Sequence, residues 1–359
     1  MGNQTLFSLK RNGIVTKIIS PTTEREGKLS KFLQSEKPFQ TVFKECALYF
    51  SPAARAEGSY KDHPYPFVLP REYAHENLAA EIRDPIRAYF KRNEIKWHDG
   101  QDGNPSNHMC DSMVCCANFL FPFYDKPKAL AGLLRPIFPD LHIMLPIEDG
   151  QYVAFEWIGA KNYLGEKISN NGKRTRGANF TSADAAVRFV RNDGKIQIVL
   201  IEWKYTEAYY PTFLKFAASG TDRTKIYEHL YLTEDCPVNK EVLGDFEYLF
   251  YEPFYQFMRQ QFLAHEMEKA HELCADIVSL LHISPAHNED FKRITSPKLM
   301  KCGTSATGVW SALQKSPERF LSVFSEDLFG KFPVEQYPEL KDWWQYITQR
   351  YRWVLENSV

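Results

Sequence analysis

The chain has 359 residues, of which 44% are hydrophobic, 14% aromatic and 25% charged, and its formal net charge is −1. This balance is typical of a globular protein with one large domain or two smaller ones, and a near-neutral charge argues neither for nor against a nucleic-acid partner. No apolar run approaches the roughly 18 residues that cross a bilayer, and the N-terminus lacks the features of a signal peptide or a myristoylation site, so we expect no membrane association.

Residues 1–104 are expected to form an N-terminal extension. Its first part mixes Pro, Ser, Gly and charged residues and predicts irregular structure. A helix is predicted near residues 72–91, where apolar side chains recur at helical spacing, with a kink at Pro85. The turn-forming sequence WHDGQDGNPSN then predicts a loop.

Residues 105–289 are predicted to form the central domain. Ser106 is the predicted N-cap of its first helix, which carries an apolar stripe. The elements that follow are strands at 151–159, 183–191 and 196–205, a long amphipathic helix at 247–269, and a strand buried on both faces at 275–284. The predicted order is therefore helix, three strands, helix, strand.

Residues 290–359 are expected to form a C-terminal helical extension that is rich in aromatic residues. One helix is predicted around residues 308–324. The terminal sequence DWWQYITQRYRWV could stack on bases, but packing against the core or a second subunit is the favoured interpretation.

Seven cysteines are scattered along the chain, and none forms a CxxC pair. An odd number of thiols at irregular spacing predicts neither a disulfide framework nor a zinc site. We therefore expect reduced, mostly buried cysteines in a cytoplasmic protein.

The turn between the second and third predicted strands determines which residues face each other. The sequence Asn-Asp-Gly at 192–194 fits a three-residue hairpin loop, a type I turn closed by Gly194 in the left-handed region. That loop places Asp184 opposite Glu202, with Cβ atoms about 5 Å apart. A two-residue Asp-Gly loop would instead place Asp184 opposite Trp203.

Lys204 lies two residues beyond Glu202, on the same predicted face. Two adjacent carboxylates repel each other, and their burial without a partner is costly. A divalent cation between Asp184 and Glu202 would offset this repulsion, and oxygen ligands favour Mg²⁺ or Mn²⁺ over Zn²⁺. Such a cation lowers the pKa of a bound water and neutralises charge on a phosphodiester, and Lys204 would orient that water and stabilise the phosphate.

This constellation resembles that of the PD-(D/E)xK nucleases, the restriction-endonuclease-like superfamily. The pattern of that superfamily is an Asp on one strand and Glu-x-Lys on the next. Asp184 and Glu202-Trp203-Lys204 match it, with Ala183 in place of the usual Pro.

The resemblance covers about residues 105 to 285, and the phrases FEWIG, RGANFTSADAAVRF and VLIEWKYTE are similar to a bacterial branch of the superfamily. It implies an α/β fold with an αβββαβ core, in which helices flank a mixed central sheet. It also implies metal-dependent hydrolysis of DNA, with Asp184 and Glu202 as metal ligands, the Trp203 carbonyl as a candidate third ligand, and Lys204 as a catalytic residue.

The Glu-x-Lys triplet alone is a weak signal, since [D/E]xK occurs six times in the chain. Only the triplet at 202 ends a strongly apolar strand and has an upstream Asp in register. The alternative is that Glu202 and Lys204 form an exposed pair at a frayed strand end and that Asp184 merely caps a strand.

Other charged residues are candidates for supporting roles. Glu156 on the first strand is either a further metal ligand or a solvated charge. Residues 160–230 carry 12 Lys and Arg against 7 Asp and Glu, and a basic loop with Lys173, Arg174 and Arg176 precedes the Asp184 strand. This loop is a candidate for binding DNA phosphates, although such loops are often only solvated.

We therefore expect a cytoplasmic deoxyribonuclease, an endonuclease that depends on Mg²⁺ or Mn²⁺ and has no small-molecule cofactor, with a homodimer as a candidate assembly. A non-catalytic DNA-binding or assembly module on the same scaffold is the first alternative. A hydrolase with a Ser or Cys nucleophile is the second, but the chain contains no GxSxG elbow and no diagnostic Cys/His spacing.

Overall fold

A computed structural model describes residues 30–168, 172–177 and 180–356 of the chain. The first part of the expected N-terminal extension lies outside these residues. Within them, no helix has both the length and the apolar composition required to span a bilayer.

The ten α-helices of the described residues are α1 Lys31–Lys44, α2 Arg83–Arg92, α3 Ser112–Leu120, α4 Pro127–Leu134, α5 Thr224–Tyr231, α6 Lys240–Leu243, α7 Phe254–Lys269, α8 Ala306–Ala312, α9 Ser325–Phe329 and α10 Lys341–Arg350. Short 3₁₀ helices lie between them, at Arg71–Asn77, Ala80–Ile82, Phe121–Phe123, Phe246–Leu249, Glu272–Cys274, Met300–Cys302, Pro317–Arg319, Val334–Gln336, Pro338–Leu340 and Arg352–Leu355.

The strands of the described residues are β1 Gly58–Tyr60, β2 His63–Tyr65, β3 Leu141–Leu145, β4 Val153–Trp157, β5 Ala183–Arg191, β6 Ile196–Trp203, β7 Ile277–Ser284 and β8 Phe320–Phe324. β1 and β2 form a separate antiparallel hairpin. The other six form one mixed sheet, in which β5 is antiparallel to β3, β4 and β6, while β7 is parallel to both β6 and β8.

Helices cover both faces of this sheet, so its central strands are apolar on both sides. Val187 and Val199 lie in one core, together with the aromatic side chains of α3 and α10. Ala186 and Leu200 point the opposite way, into a second core that is formed with α5, α7 and α8. This mixed central sheet between helices confirms the predicted fold class.

The strands β4, β5, β6 and β7 confirm the predicted strand positions, and all eight residues of β7 are buried. The prediction missed α4 and β3, which lie between the first core helix and β4, and also α5 and α6. The long helix begins only at Phe254, directly after Pro253.

Two predictions in the N-terminal half were wrong. Residues 72–91 do not form one kinked helix, because two 3₁₀ helices precede α2, and Pro85 lies in the first turn of α2, where its missing N–H costs no hydrogen bond. Ser106 is not the N-cap of α3. That position belongs to Asp111, whose Oδ1 accepts a hydrogen bond from the Val114 N–H at 2.8 Å.

The prediction of one helix around residues 308–324 was also wrong. α8 ends at Ala312, and the residues that follow form a 3₁₀ helix at Pro317 and then the edge strand β8. A residue before proline disfavours the helical region, so Pro317 is a local reason for the break. β8 extends the sheet by pairing with β7, from Leu280↔Phe320 to Ser284↔Phe324.

The aromatic C-terminus packs against the core, as the favoured interpretation predicted. Trp343, Tyr351 and Trp353 are buried, and Trp353 stacks on Phe119 of α3 with ring centroids 5.8 Å apart. The buried guanidinium of Arg350 joins this terminus to the N-terminal segment. It donates hydrogen bonds to the Asn77 carbonyl at 2.6 Å and to Gln40 Oε1 at 3.1 Å.

Candidate active site

The hairpin between β5 and β6 has the predicted register. Gly194 has a φ of +81° and donates to the Arg191 carbonyl at 3.0 Å, and the Arg191 N–H donates to the Lys195 carbonyl at 2.8 Å. The ladder runs from Val190↔Ile196 to Ala185↔Ile201. The three-residue loop is therefore confirmed, and the two-residue alternative is excluded.

Asp184 and Glu202 follow one step beyond the last pair of this ladder. Oδ2 of Asp184 accepts a hydrogen bond of 2.7 Å from the Trp203 N–H, so this carboxylate lies at the end of β6. That contact satisfies a backbone donor at the strand end, as the capping alternative expected. The two carboxylates are also close enough for Glu202 to influence the ionisation of Asp184.

Glu202 is held between two side chains. Lys204 Nζ lies 2.5 Å from Glu202 Oε1, and the Gln260 amide on α7 donates to Glu202 Oε2. The same amide donates to the Ser182 carbonyl at 3.2 Å, so Gln260 connects the end of β6 to the start of β5. Glu202 and Lys204 are only 3% and 5% exposed, which excludes the alternative of an exposed pair at a frayed end.

Glu156 lies at the same edge of the sheet, because the neighbouring pairs Phe155↔Ala185 and Trp157↔Ala183 place it opposite Asp184. Its φ is +48°, which is uncommon for a residue other than glycine and costs about 1–3 kcal/mol. Its carboxylate is buried and accepts from Ser182 Oγ at 2.7 Å. Strain of this kind persists where surrounding contacts hold the backbone in place, often at functional sites.

Burial determines the ionisation of this cluster. Burial and the nearby Glu202 raise the pKa of Asp184 well above its usual range, although Lys204 opposes the shift. Burial likewise raises the pKa of Glu156 to about 7, even though the Ser182 hydrogen bond opposes it. Burial alone would lower the pKa of Lys204, but the adjacent Glu202 keeps that pKa well above its usual range. Lys204 is therefore a cation, and the carboxyl groups of Asp184 and Glu156 hold protons more tightly than in water.

The donor set is chemically suited to a hard divalent cation. Glu202 Oε1 is buried and accepts no hydrogen bond from the residues that the structure describes, although it contacts the Lys204 ammonium. Mg²⁺ commonly binds through one or two carboxylates and completes its shell with water and substrate phosphate. Among the described residues, no group of three or more His, Cys, Asp or Glu side chains is arranged to hold a metal. The carboxylates can therefore supply part of the coordination shell of a cation, with water and substrate supplying the rest. They do not form a closed metal site on their own.

The basic loop is bound to the protein itself. The Arg174 guanidinium donates to the Gly159 carbonyl at 2.8 Å, and Arg176 forms an ion pair with Glu148 at 2.7 Å. Arg176 also donates to the Glu156 carbonyl at 3.1 Å, which helps to hold the strained residue in place. Lys173 pairs with Glu94 at 3.2 Å.

Sequence reasoning missed the role of two buried residues beside the cluster. Gln260 lies on α7, 58 residues from Glu202 in the chain, and contacts its carboxylate. His282 on β7 pairs with Glu202 in the parallel ladder, and its ring stacks on Phe291 at 4.7 Å. Burial and the nearby Lys204 lower the pKa of His282 to about 3, so the ring is neutral. The only local signal for it is a histidine within a strand whose eight residues are all buried.

The sequence model of a family described as REase-ARP, restriction endonuclease associating with ARP, matches residues 41–352. No curated protein and no solved structure matches the chain.

Proposed function

The chain belongs to the REase-ARP family of restriction-endonuclease-like proteins, and on this premise we propose that it hydrolyses phosphodiester bonds of DNA in the presence of Mg²⁺ or Mn²⁺. The observation that carries this proposal is the buried cluster at one sheet edge, in which Asp184, Glu202 and Lys204 meet. Buried carboxyl groups with raised pKa values, here Asp184 and Glu156, are costly for stability, and such costs are typical of functional sites.

Each residue has a proposed role. Asp184 and Glu202 hold the cation, with the Trp203 carbonyl and Glu156 as candidate further ligands. When bound, the cation would neutralise phosphate charge and lower the pKa of a water. Lys204, charged at neutral pH, orients the attacking water and stabilises the negative charge on the phosphate in the transition state. Gln260 fixes the rotamer of Glu202 through its amide.

We also propose a cellular setting for the protein. All seven cysteines are free, and the four at positions 110, 115, 116 and 236 are buried, as in proteins of the reducing cytoplasm. The family description names an association with ARP, and a partner of that kind is proposed for this chain on that description alone. A homodimer and the DNA-phosphate role of Lys173, Arg174 and Arg176 stay proposals.

A cleavage assay tests the enzyme against the non-catalytic alternative. The full chain is incubated with supercoiled plasmid, linear duplex and single-stranded DNA, with Mg²⁺, Mn²⁺ or EDTA. We expect metal-dependent cleavage, with nicking or linearisation of the plasmid if the enzyme is an endonuclease. Lys204→Ala and Asp184→Asn are expected to abolish it.

Lys195→Ala is the matched control for Lys204→Ala. Lys195 belongs to another [D/E]xK triplet on the same hairpin, but its side chain is exposed. The Lys195→Ala variant should cleave DNA at the wild-type rate. Absence of cleavage on every DNA substrate favours the non-catalytic module, and cleavage that survives in EDTA or in Lys204→Ala contradicts the proposed mechanism.

A further inference from the structure

The connection between β6 and α5 is unusually long. Residues 204–223 contain no helix and no strand, whereas connections longer than about 12–15 residues are uncommon in compact domains and usually functional. This connection begins at Lys204, so it leaves the sheet directly from the candidate active site.

Exposed aromatic side chains are concentrated in this connection. Among the described residues, the exposed large hydrophobic side chains include four aromatic ones, and three of them are Tyr210, Phe213 and Phe216. The fourth, Phe39, is covered by the Arg352 guanidinium at 3.9 Å from its ring centroid. Phe213 and Phe216 are 43% and 58% exposed. We call residues 209–216 the aromatic segment.

The aromatic segment is held in a defined position by backbone contacts. The Leu214 N–H donates to the Phe250 carbonyl at 2.8 Å, and Arg223 donates to the Leu214 carbonyl at 2.7 Å. Phe213 stacks on Tyr251 with ring centroids 5.1 Å apart. The exposed rings therefore need little ordering when they meet a ligand, which reduces the entropic cost of binding.

The aromatic segment also starts beside the candidate active site. The Tyr209 hydroxyl donates to Gln256 on α7 at 3.3 Å, one helical turn before Gln260, which contacts Glu202. Phe213 follows four residues later, so it lies at most about 14 Å from Tyr209 along an extended chain. A stacked DNA strand advances about 3.4 Å per nucleotide. The Phe213 ring is thus within a few nucleotides of a phosphate at the Asp184–Glu202–Lys204 cluster.

We propose that the aromatic segment stacks on unpaired bases of a DNA strand whose phosphate lies at the Asp184–Glu202–Lys204 cluster. The substrate is then single-stranded DNA or a duplex with a locally unpaired region. This inference rests on the proposed function. Aromatic faces beside cations are typical of surfaces that bind single strands, and Lys215 Nζ, which also pairs with Glu247 at 2.5 Å, lies 5.4 Å from the Phe216 ring centroid. Continuity with the cluster favours a nucleic acid over a protein partner.

Binding by the inactive full-length Asp184→Asn protein tests this inference without cleavage. Fluorescence anisotropy in EDTA measures the affinity for a labelled single strand and for the same sequence as a duplex. Phe213→Ala/Phe216→Ala in the same background should weaken single-strand binding at least tenfold, since each stacked base contributes a factor of about 5 to 150. Duplex binding should change less than about twofold.

The matched control is Leu232→Ala/Val242→Ala, which removes two apolar side chains of similar exposure, 65% and 57%. Leu232 directly follows α5, and Val242 lies within α6. It should bind both DNAs as the parent does. Equal affinity of the parent and the double Phe variant for the single strand overturns the inference, as does an equal loss on the duplex or no single-strand binding by the parent. The inference is also overturned if the double Phe variant loses a protein partner but binds both DNAs as the parent does, because the surface would then be a protein-docking site.

The two proposals fail in distinguishable ways. If the wild-type chain cleaves no DNA but single-strand binding depends on the two Phe rings, the nuclease proposal falls and the stacking inference stands. If the chain cleaves DNA and single-strand binding does not depend on these rings, only the stacking inference is overturned.

Discussion

The ammonium of Lys204 lies 2.5 Å from Oε1 of Glu202, and both side chains are almost fully buried. Removing one partner of a buried ion pair leaves an uncompensated charge and costs about 3–5 kcal/mol, whereas replacing both partners is much less costly. The pair therefore allows stability and catalysis to be separated by experiment.

We expect Lys204→Met to lower the free energy of unfolding by about 3–5 kcal/mol, because Glu202 loses its counter-charge. Glu202→Gln/Lys204→Met should recover most of that loss. Urea unfolding measures both effects. Neither variant should cleave DNA at more than about 1% of the wild-type rate, since both lack groups that stabilise charge in the transition state.

Recovery of cleavage activity in the double variant would contradict the proposed roles. If the double variant regained activity together with stability, Lys204 would serve the fold and not the chemistry. Lys195→Met is the control for the substitution itself, since the same change at an exposed position should alter neither quantity.

Gln260 provides a second test, because its amide donates to Glu202 Oε2 from the opposite side. Gln260→Ala should reduce cleavage by about 10- to 100-fold and raise the Mg²⁺ concentration needed for half-maximal activity, as loss of a group that orients a metal ligand typically does. Gln260→Glu should be worse, because a second carboxylate would face Glu202.

The control for Gln260 is its neighbour on α7. Gln261 is also buried, but its Oε1 has no hydrogen-bond partner within the described part of the chain, so Gln261→Met should preserve both activity and metal dependence. An unchanged Mg²⁺ requirement in Gln260→Ala would show that Glu202 keeps its position without the amide.

Metal binding should depend on pH with a definite sign. Burial raises the pKa of Glu156 to about 7, so this carboxyl group holds its proton at pH 6 and releases it when a cation binds. Burial and the nearby Glu202 shift the pKa of Asp184 in the same direction. The affinity for Mg²⁺ should therefore rise from pH 6 to pH 8, by up to about tenfold per pH unit for each proton displaced. Calorimetry in buffers of different ionisation enthalpy measures the proton release.

Two variants make this measurement specific. Asp184→Asn should bind no Mg²⁺ at either pH, and Glu156→Gln should show a weaker pH dependence. Mg²⁺ binding by Asp184→Asn as tight as that of the wild type would mean that the cation binds elsewhere. If Glu156→Gln kept the full pH dependence, Glu156 would have no part in the metal site.

The sequence predicts best those features that depend on neighbouring residues. The β5–β6 hairpin and its register follow from three turn residues and two apolar strands, and the structure has that register. The site around it depends on distant segments. Gln260 meets Glu202 across 58 residues of chain, and Arg350 meets Asn77 across 273.

Contacts of that separation leave no local periodicity by which to recognise them. The same reason explains the error at β8, whose partner β7 lies about forty residues earlier in the chain. The packing of both terminal segments into one core also follows only from the folded structure, since the apolar spacing of each segment is compatible with many partners.

Glu36 on α1 gives the last prediction, a pH dependence of stability. Its carboxyl group is buried and accepts a hydrogen bond from Tyr205 at 2.5 Å, and burial raises its pKa to about 7 despite that bond. In the unfolded chain this group loses its proton near pH 4.5. The folded state therefore binds more protons than the unfolded state between about pH 4.5 and 7, and the free energy of unfolding falls across this range by at most about 3 kcal/mol.

Glu36→Gln keeps the size of the side chain and has no proton to lose. Relative to the wild type, it should gain stability as the pH rises from 5 to 8, as measured by urea unfolding. Glu318→Gln, a change at an exposed glutamate, should leave the pH profile unchanged. If the free energy of unfolding changed with pH by the same amount in Glu36→Gln and in the wild type, Glu36 would already be ionised at pH 5.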